Sequence, residues 1–356
     1  MNKKNLYIDI HVLQTVPPSC INRDDMGSPK TAVYGGVVRA RVSSQSWKHE
    51  MRKMFVEIFG KENVGFRTKK VLQKIAEKIG ELDNSLSEEA CEKKAEKALK
   101  NMGINLSKKN DNKTEVLMFL SDAQARAVAS LVIEGNEDKK EYQAALRENP
   151  AVDIALFGRM VASDPSLNFD AAAQVAHAIS THKVQNEYDY FTAVDDIAEE
   201  DNSGAGHLGT VEYNSSTLYR YATVNVKELS QSLGNFTSDA VKGFVEAFVQ
   251  AMPAGKQNTF ANRTCPDFVY VALRTDQPVN LCGAFEKPVI SKEGGYLEAS
   301  EKAFLSYAAK IYENYAAEPQ NVWGFGDGLT DKMSFPQILE AVQSAVKEKL
   351  SESEAE

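Results

Sequence analysis

The chain has 356 residues, a formal net charge of -9 and a sequence pI near 5.3, which argues against a generally basic protein that coats DNA without specificity. No apolar run approaches the ~20 residues of a membrane-spanning helix, and the alternating N-terminal segment is unlike a signal peptide, which predicts a cytoplasmic protein. The four cysteines are far apart and form no CxxC pair, which predicts reduced thiols with no zinc site and no disulfide framework.

The first predicted element is a strand near residues 6–13, where apolar and polar residues alternate, and Pro17 and Pro18 are expected to end it. A basic segment follows, from Ser19 to Arg52. In a chain that is acidic overall, such a positive island predicts an anionic ligand. Its cations are Arg23, Lys30, Arg39, Arg41, Lys48 and Arg52, against the carboxylates Asp24, Asp25 and Glu50.

Inside this segment a strand near residues 36–42 is expected to lead directly into a helix near residues 44–58. Gly35 and Gly36 permit a sharp turn or a close backbone approach. The strand alternates valine and alanine with Arg39 and Arg41, so the two arginines are expected to face solvent. Ser43 and Ser44 are good N-cap residues, and an apolar stripe at helical spacing follows them: Trp47, Met51, Met54, Phe55 and Ile58.

The start of this helix has the properties of a phosphate-binding site. Its first turn presents backbone N–H groups and the positive end of the helix dipole, with Ser43 and Gln45 as additional donors. Lys48 and Arg52 lie four residues apart and are expected on the outer face. An amphipathic helix with a solvated basic face would give the same pattern, so the residues by themselves leave both interpretations open.

Residues 61–187 are predicted to form a mostly helical insertion. Helices are expected at 71–82, after a capping box that begins at Ser85, at 121–134 and at 139–148, followed by a strand at 152–156 and a helix at 169–182. His177 and His182 are five residues apart and lack the glutamate of an HExxH motif, so we expect no zinc site here but one surface imidazole and one buried imidazole.

The remaining chain is predicted to hold a long hairpin and further sheet elements. Strands at 188–194 and 208–213 flank an acidic loop, and more strands are expected at 217–226 and 267–274. Helices are expected at 239–252, 301–315 and 335–350, before a disordered tail. The run AGKQNT lacks the Ser/Thr of a Walker A loop, so Lys256 and Gln257 either contact a phosphate or sugar or form a helix C-cap turn.

Several long runs in fixed order carry a family resemblance. They are HVLQTVPPSCINRDD, YGGVVRARVSSQSWKHEMRK, VDIALFGRM, VAHAISTHKV, DYFTAVDD, HLGTVEYNSSTLYRYATVNV, PAGKQNTFA and GAFEK. From Tyr7 to Lys287 the chain resembles the backbone subunit of the type I-E CRISPR surveillance complex Cascade, the CasC family of the RAMP superfamily.

The resemblance implies an α+β fold shaped like a hand. Its palm would be a modified ferredoxin-like, RRM-like domain made of residues 1–60 and 214–356, with helical fingers at 61–187 and a β-hairpin thumb at 188–213. The RRM signature whose aromatic residues stack bases is missing, so stacking across the sheet face is not expected.

The resemblance also implies a function without catalysis and without a cofactor or metal. Copies of the subunit would form a helical filament along the spacer of the CRISPR RNA, in contact with other Cascade subunits. They would hold the RNA backbone and leave the base edges free to pair with target DNA, which gives binding without sequence preference.

Individual residues carry these implied roles. Arg23, Ser43, Gln45, Lys48 and Arg52 would grip phosphates and sugars. An apolar wedge that displaces a nucleotide at regular intervals would be formed by Met160 with Phe191, Thr192, Ala193 and Val194. Without the resemblance, the residues by themselves favour ordinary core positions for Met160 and Phe191.

Two other functions stay open. Asp24 and Asp25 could bind Mg²⁺ in a metal-dependent ribonuclease, although neighbouring carboxylates on an extended chain point to opposite sides. Alternatively, the protein is a scaffold that binds only proteins. Nucleic acid that copurifies with the protein separates the scaffold from an RNA-binding subunit.

Overall fold

The computed structural model describes residues 5–107, 113–115, 117–161, 164–193 and 207–355. The chain forms two compact units. We call Met1–Met51, Val175–Thr223 and Val245–Val342 the sheet unit, and Arg52–Gln174, Val224–Phe244 and Gln343–Glu356 the helical unit. Among the described helices, none combines the length and apolarity required to cross a membrane.

The described strands are β1 Tyr7–Ser19, β2 Thr31–Tyr34, β3 Val37–Val42, β4 Phe66–Thr68, β5 Met118–Leu120, β6 Ala173–Val175, β7 Ala178–Ser180, β8 Glu187–Ala193, β9 His207–Asn225, β10 Phe268–Arg274 and β11 Asn321–Phe325. The described α-helices are α1 Ser44–Phe59, α2 Val71–Leu82, α3 Glu88–Asn101, α4 Asp122–Ile133, α5 Lys139–Arg147, α6 Val152–Phe157, α7 Val226–Leu233, α8 Thr237–Gln250, α9 Gln257–Phe260, α10 Leu297–Asn314 and α11 Phe335–Ala355.

The large sheet runs in the order β11, β10, β1, β9, β7, β3, β2, and β6 and β8 also pair with β9. β1 pairs with β10 antiparallel, from Tyr7 opposite Arg274 to Leu13 opposite Phe268. The pairs β10–β11, β2–β3, β3–β7 and β7–β9 are antiparallel as well. The protein therefore has a mixed α/β fold with a large antiparallel sheet, and the ferredoxin-like palm stays a prediction.

Each unit has its own apolar core. In the sheet unit, Phe304 of α10 and Phe285 pack against β1, β9 and β10, and Tyr219 and Tyr270 border the buried His11. In the helical unit, α2, α3, α4 and α5 bury one continuous cluster. Side chains cap α3 and α4: Ser87 accepts from the N–H of Ala90, and Ser121 forms a reciprocal capping box with Gln124.

Several predicted elements are confirmed. The helices predicted at 44–58, 71–82, 121–134, 139–148 and 239–252 are present as α1, α2, α4, α5 and α8, within two residues at each end. The strand predicted at 36–42 is β3, and the one at 267–274 is β10. The two strands flanking the acidic loop are β8 and the first part of β9, and they pair antiparallel from Glu187 opposite Tyr213 to Ala193 opposite His207.

Other predictions are wrong. The strand predicted at 152–156 is helix α6, because every residue from Val152 to Leu156 is buried and its apparent alternation marks no exposed face. The helix predicted at 169–182 is replaced by β6 and β7, since pairing with β9 outweighs the helical spacing of a short alanine-rich run.

Several predicted boundaries are also wrong. α10 begins at Leu297, four residues before the predicted start at 301. β1 continues through Pro17 and Pro18 to Ser19, and the cap of α3 is Ser87 instead of Ser85. The predicted disordered tail continues α11 as far as Ala355. The division into palm, fingers and thumb is a functional assignment and stays a prediction.

Candidate nucleic-acid interface

The start of α1 is joined to the loop that precedes β2 by a side chain. The backbone N–H of Ser43 donates to Oδ1 of Asn22 at 2.9 Å, and the carbonyl oxygen of Ser43 accepts from the N–H groups of Ser46 and Trp47 at 3.0 and 3.3 Å. Ser43 is buried, whereas Gln45 is exposed and Lys48 is half-buried. The first turn of α1 thus presents Gln45 outward, with its N-terminus fixed by Asn22.

The loop from Asn22 to Lys30 is closed by Asp24. Its Oδ1 accepts from the N–H groups of Met26 and Ser28 at 2.9 and 3.0 Å, and the N–H of Asp24 donates to the carbonyl of Ser28 at 2.9 Å. The N–H of Lys30 donates to the carbonyl of Asn22 at 2.8 Å. Asp24 therefore shapes the loop, and the neighbouring Arg23 is left with an exposed side chain.

Gly255 brings a third segment, distant in sequence, to this loop. Its Cα lies so close to the backbone of Ile21 that a Cβ would be 2.3 Å from the carbonyl oxygen of Ile21, so only glycine fits. Lys256 follows in a left-handed conformation with φ of 53° and is the N-cap of α9, which begins at Gln257. Since α8 ends at Gln250, the alternative of a helix C-cap turn for Lys256 and Gln257 is wrong.

These three segments enclose a cleft of about 510 Å³. Burial raises the pKa of the Cys20 thiol, and the nearby cations Arg23 and Lys256 oppose that shift. The cleft lining holds one cation, Arg23, and three carboxylates, Asp24, Asp25 and Glu50, so it is more acidic than basic. Its lining residues are Ile21, Asn22, Arg23, Asp24, Asp25, Gly27, Ser46, Glu50, Ala254 and Gly255.

The structure corrects the placement of two arginines. Arg39 is fully buried instead of facing solvent, and its guanidinium donates to the carbonyl oxygens of Ser180 at 2.9 Å and Phe285 at 2.8 Å. Arg52 is not on the outer face of α1, because in the helical unit its Nε donates to Oδ2 of Asp153 at 2.7 Å and its Nη2 to the carbonyl of Gly65 at 2.9 Å.

The Arg52–Asp153 pair is a buried structural contact. The Asp153 side chain is fully buried and that of Arg52 is 18% exposed. Burial raises the pKa of Asp153, and the positive charge of Arg52 opposes the shift. The second oxygen of Asp153 accepts from the N–H of Gly65 at 2.8 Å. The Arg52 guanidinium thus has two acceptors within the chain, and an RNA contact would have to compete with them.

The proposed wedge residues are on exposed surfaces, so the alternative that Met160 and Phe191 are core residues is wrong. On the β8–β9 hairpin of the sheet unit, Phe191 is 40% exposed and its ring covers Gly209, its cross-strand neighbour. Thr192 and Ala193 are exposed beside it, and Val194 lies outside the described residues. In the helical unit, Met160 is 81% exposed.

The two histidines that follow β6 are one exposed and one buried imidazole, a pair that the sequence predicted without assigning which is which. His177 is exposed and accepts a hydrogen bond at Nδ1 from Arg41 at 3.2 Å, and His182 is buried and accepts from the N–H of Thr217 at 3.1 Å. Within the described ranges, no three His, Cys, Asp or Glu side chains come together as a set of metal ligands.

Two residues that the sequence analysis missed shape the cleft. Asn22 fixes the N-terminus of α1, and Gly255 allows the contact with Ile21. The sequence offered a signal for each, since Asn22 lies beside Arg23 in the run INRDD and Gly255 precedes Lys256 in AGKQNT. Neither signal identifies the distant residue that is contacted, which is Ser43 for Asn22 and Ile21 for Gly255.

The model of the CT1975-like protein family matches residues 8–350. No curated protein sequence matches the chain.

Two solved structures are similar along nearly the whole chain. A chain of a "CRISPR RNA-guided surveillance complex, pre-nicking" is 33% identical, with a TM-score of 0.81 over 96% of this chain and 100% of that one. A chain of a "CRISPR RNA-guided surveillance complex" is 26% identical, with a TM-score of 0.71 over 95% of this chain and 99% of that one. Because the family model matches almost the full length of this chain, the chain belongs to the CT1975-like protein family.

Proposed function

We propose that the protein is the CRISPR RNA-binding backbone subunit of a Cascade surveillance complex of type I-E, related to the CasC family. The family match and the similarity to chains of CRISPR RNA-guided surveillance complexes support a Cascade-type protein. The observation that carries the proposal is structural: the loop residues 21–25 and 27, Ser46 and Glu50 of α1, and residues 254–255 line one cleft, and the exposed Arg23 is its cation.

In this proposal the cleft and the first turn of α1 hold the sugar-phosphate backbone of the guide RNA. Arg23, Gln45, Lys48, Lys256 and Gln257 supply side-chain donors. Backbone contacts ignore base identity, which suits a subunit that must accept any spacer. The carboxylates Asp24, Asp25 and Glu50 line the same cleft and repel phosphate, so binding depends on Arg23 together with Lys48 and Lys256, which lie outside the cleft lining. Ser43 contributes through the position of its backbone, and Arg52 stabilises the fold.

The sheet unit would supply a ferredoxin-like palm, with the β8–β9 hairpin as the thumb and the helical unit as the main part of the fingers. Met160 and Phe191, with Thr192, Ala193 and Val194, would form the wedge that displaces nucleotides. Further copies of the subunit, other Cascade subunits and target DNA paired to the guide would be its partners, in the cytoplasm.

We propose a binding role instead of ribonuclease activity. Oδ1 of Asp24 accepts two backbone N–H groups at 2.9 and 3.0 Å, so this oxygen is engaged in shaping the loop. A cleavage role predicts that Asp24→Asn abolishes Mg²⁺-dependent cleavage of complementary RNA by the assembled complex, whereas a binding role predicts no cleavage by the wild type.

The test is to purify the chain with its partner subunits and to measure the A260/A280 ratio and the length of bound RNA. The proposal predicts a discrete RNA of guide length that is protected from nuclease. A complex that assembles without nucleic acid would support the scaffold alternative.

A further inference from the structure

Arg159 and Met160 are neighbours in sequence with opposite environments. Within the helical unit, Arg159 is 4% exposed, whereas Met160 is 81% exposed. Both belong to the segment after α6 that returns to Phe169. A large apolar side chain held out in water has no burial energy of its own to fix its position. The surrounding chain must therefore determine where Met160 points.

The guanidinium of Arg159 donates hydrogen bonds to four segments of the helical unit. Its Nε donates to the carbonyl of Leu167 at 2.9 Å and its Nη2 to the carbonyl of Leu146 at 2.8 Å. Its Nη1 donates to the carbonyl of Phe119 at 3.2 Å and to Oε1 of Gln124 at 3.3 Å. The planar fork of arginine suits such a divergent set of acceptors, whereas a lysine ammonium cannot reach them all in the same geometry.

All of these acceptors are neutral. Burial lowers the pKa of Arg159 to about 10, so the group stays protonated at neutral pH and its charge is stabilised by carbonyl and amide dipoles. None of these partners is a carboxylate, so Arg159 does not stabilise the protein by forming an ion pair with them. Its contribution is geometric, because it fixes the backbone from which Met160 projects.

Backbone hydrogen bonds hold the chain on both sides of Met160. Arg159 and Phe169 exchange two N–H to carbonyl bonds at 2.9 and 2.8 Å. On the other side, the N–H of Val161 donates to Oδ1 of the exposed Asn168 at 2.7 Å. Gly158 enters the loop with φ of 74°, and a Cβ there would lie 2.8 Å from the carbonyl oxygen of Phe169. Met160 is thus the projecting tip of an anchored loop.

We propose that Arg159, assisted by Asn168, is a positioning residue that directs the Met160 side chain outward. The part of this inference that concerns RNA rests on the proposed function, in which Met160 belongs to the wedge. The part that concerns the geometry of Met160 does not depend on it.

The geometric part is tested on the full chain by NMR with ¹³C-methyl methionine. Met160→Leu assigns the Met160 signal, and Met102 and Met118 in the buried core of the helical unit report on folding. Arg159→Lys and Asn168→Ala are each expected to shift or broaden the Met160 signal and to leave Met102 and Met118 in place. Arg126→Lys, at an arginine in the same unit that pairs with Glu81 at 3.9 Å, is the matched control and should change none of the three signals.

An unchanged Met160 signal in a folded Arg159→Lys protein would overturn the positioning role. If Arg159→Lys disrupts the Met102 and Met118 signals, the protein is not folded and Asn168→Ala decides, since its side chain is exposed. In that case, an unchanged Met160 signal in Asn168→Ala would overturn the proposal.

The RNA part is tested by nucleotide footprinting in the assembled complex. Met160→Ala should change reactivity roughly twofold or more at periodic positions, because a covered base face becomes accessible. Arg159→Lys should change the same positions, and the double variant should equal Met160→Ala alone. Additive effects, or a wild-type footprint in Arg159→Lys beside an altered one in Met160→Ala, would contradict the positioning role. A wild-type footprint in Met160→Ala would contradict the wedge function and leave the NMR result to decide the positioning role.

Discussion

Arg52 donates from Nε to the fully buried carboxylate of Asp153 at 2.7 Å. Lys48 and Arg52 lie four residues apart on α1, and the sequence predicted that both would lie on its outer face. The contact with Asp153 shows that Arg52 does not. Lys48 belongs to the sheet unit, at the helix end next to Asn22, and Arg52 belongs to the helical unit. Substitutions at the two positions should therefore have different consequences.

We expect Arg52→Ala to destabilise the protein, because it leaves the Asp153 carboxylate buried without its cation. Breaking one side of a buried ion pair costs about 3–5 kcal/mol in the free energy of unfolding. Urea denaturation of the purified chain measures it. Lys53→Ala, at the next and exposed position of α1, is the control and should stay within about 0.5 kcal/mol of wild type. An Arg52→Ala protein as stable as wild type would show that the pair contributes nothing.

Removing Arg23 and Lys48 should weaken RNA binding while leaving the fold stable. In the assembled complex, the double variant Arg23→Ala, Lys48→Ala is expected to lower the affinity for guide RNA. The decrease should be the same for guides of unrelated sequence. Its plot of log affinity against log salt should flatten by ~0.7 for each phosphate of the single-stranded RNA that the variant no longer neutralises. Lys140→Ala, on an exposed position of α5, is the control. Affinity changes that differ between guide sequences would contradict backbone recognition.

Gly255 should tolerate no side chain. In Gly255→Ala, the new Cβ would lie 2.3 Å from the carbonyl oxygen of Ile21, so the segment carrying Lys256 must move. We expect RNA retention in the assembled complex to fall. Gly36→Ala is the control, because a Cβ at Gly36, with φ of 78°, meets no atom within 4 Å, only backbone strain is added, and Gly36 does not line the cleft. Equal retention by Gly255→Ala and wild type would contradict a role for this loop.

How much the sequence could predict depended on whether a pattern was local. α1 and α2 carry apolar stripes over three or more turns, so their spans could be predicted closely. β6 and β7 have three residues each, and only pairing with β9 and β3 makes them strands. No period in the sequence reports such a partner.

The same limit applies to the candidate site. Arg23, Gln45 and Lys48 could be predicted from the charge of the segment and the start of a helix. The burial of Arg39 and Arg52 could not, because their acceptors include Ser180 and Phe285 in one case and Asp153 in the other, and these three lie more than 100 residues away. A cation in a basic segment is structural if the fold places acceptors beside it and solvated if it does not. The sequence of the segment does not show which case applies.

His11 should make the stability of the protein depend on pH. Burial among aromatic rings lowers the pKa of His11 from 6.5 to about 3, so the unfolded chain binds a proton that the folded chain excludes. This contribution to stability is complete above pH 6.5 and is lost as the pH falls toward 3. Between pH 7.5 and 5.5 it amounts to about 1 kcal/mol in the free energy of unfolding.

In His11→Phe the loss between these two pH values should be smaller by that amount, as measured by urea denaturation. Asp9, whose pKa burial raises to about 6, contributes in the opposite sense in both proteins and so largely cancels. His49→Phe, at an exposed histidine, is the control. Parallel pH profiles for His11→Phe and wild type would mean that His11 is not excluded from protonation in the folded state.

Phe191 should affect the RNA without affecting assembly. Its ring covers Gly209 on an exposed hairpin, so Phe191→Ala removes an apolar surface without opening a core cavity. We expect complexes of wild-type size whose RNA protection changes at regularly spaced nucleotides. Tyr188→Ala, on the opposite face of β8, is the matched control. A wild-type protection pattern in Phe191→Ala would remove this residue from the wedge.

The central claim is that the cleft beside the N-terminus of α1 holds the guide RNA by its backbone. A cryo-EM reconstruction of the assembled particle measures this directly, through the distances from RNA phosphates to the side chains of Arg23, Gln45 and Lys48. Hydrogen-bonding distances to the phosphates, with the bases facing away from these side chains, are the predicted result. A cleft that is covered by protein, or that faces away from the RNA, would contradict the account.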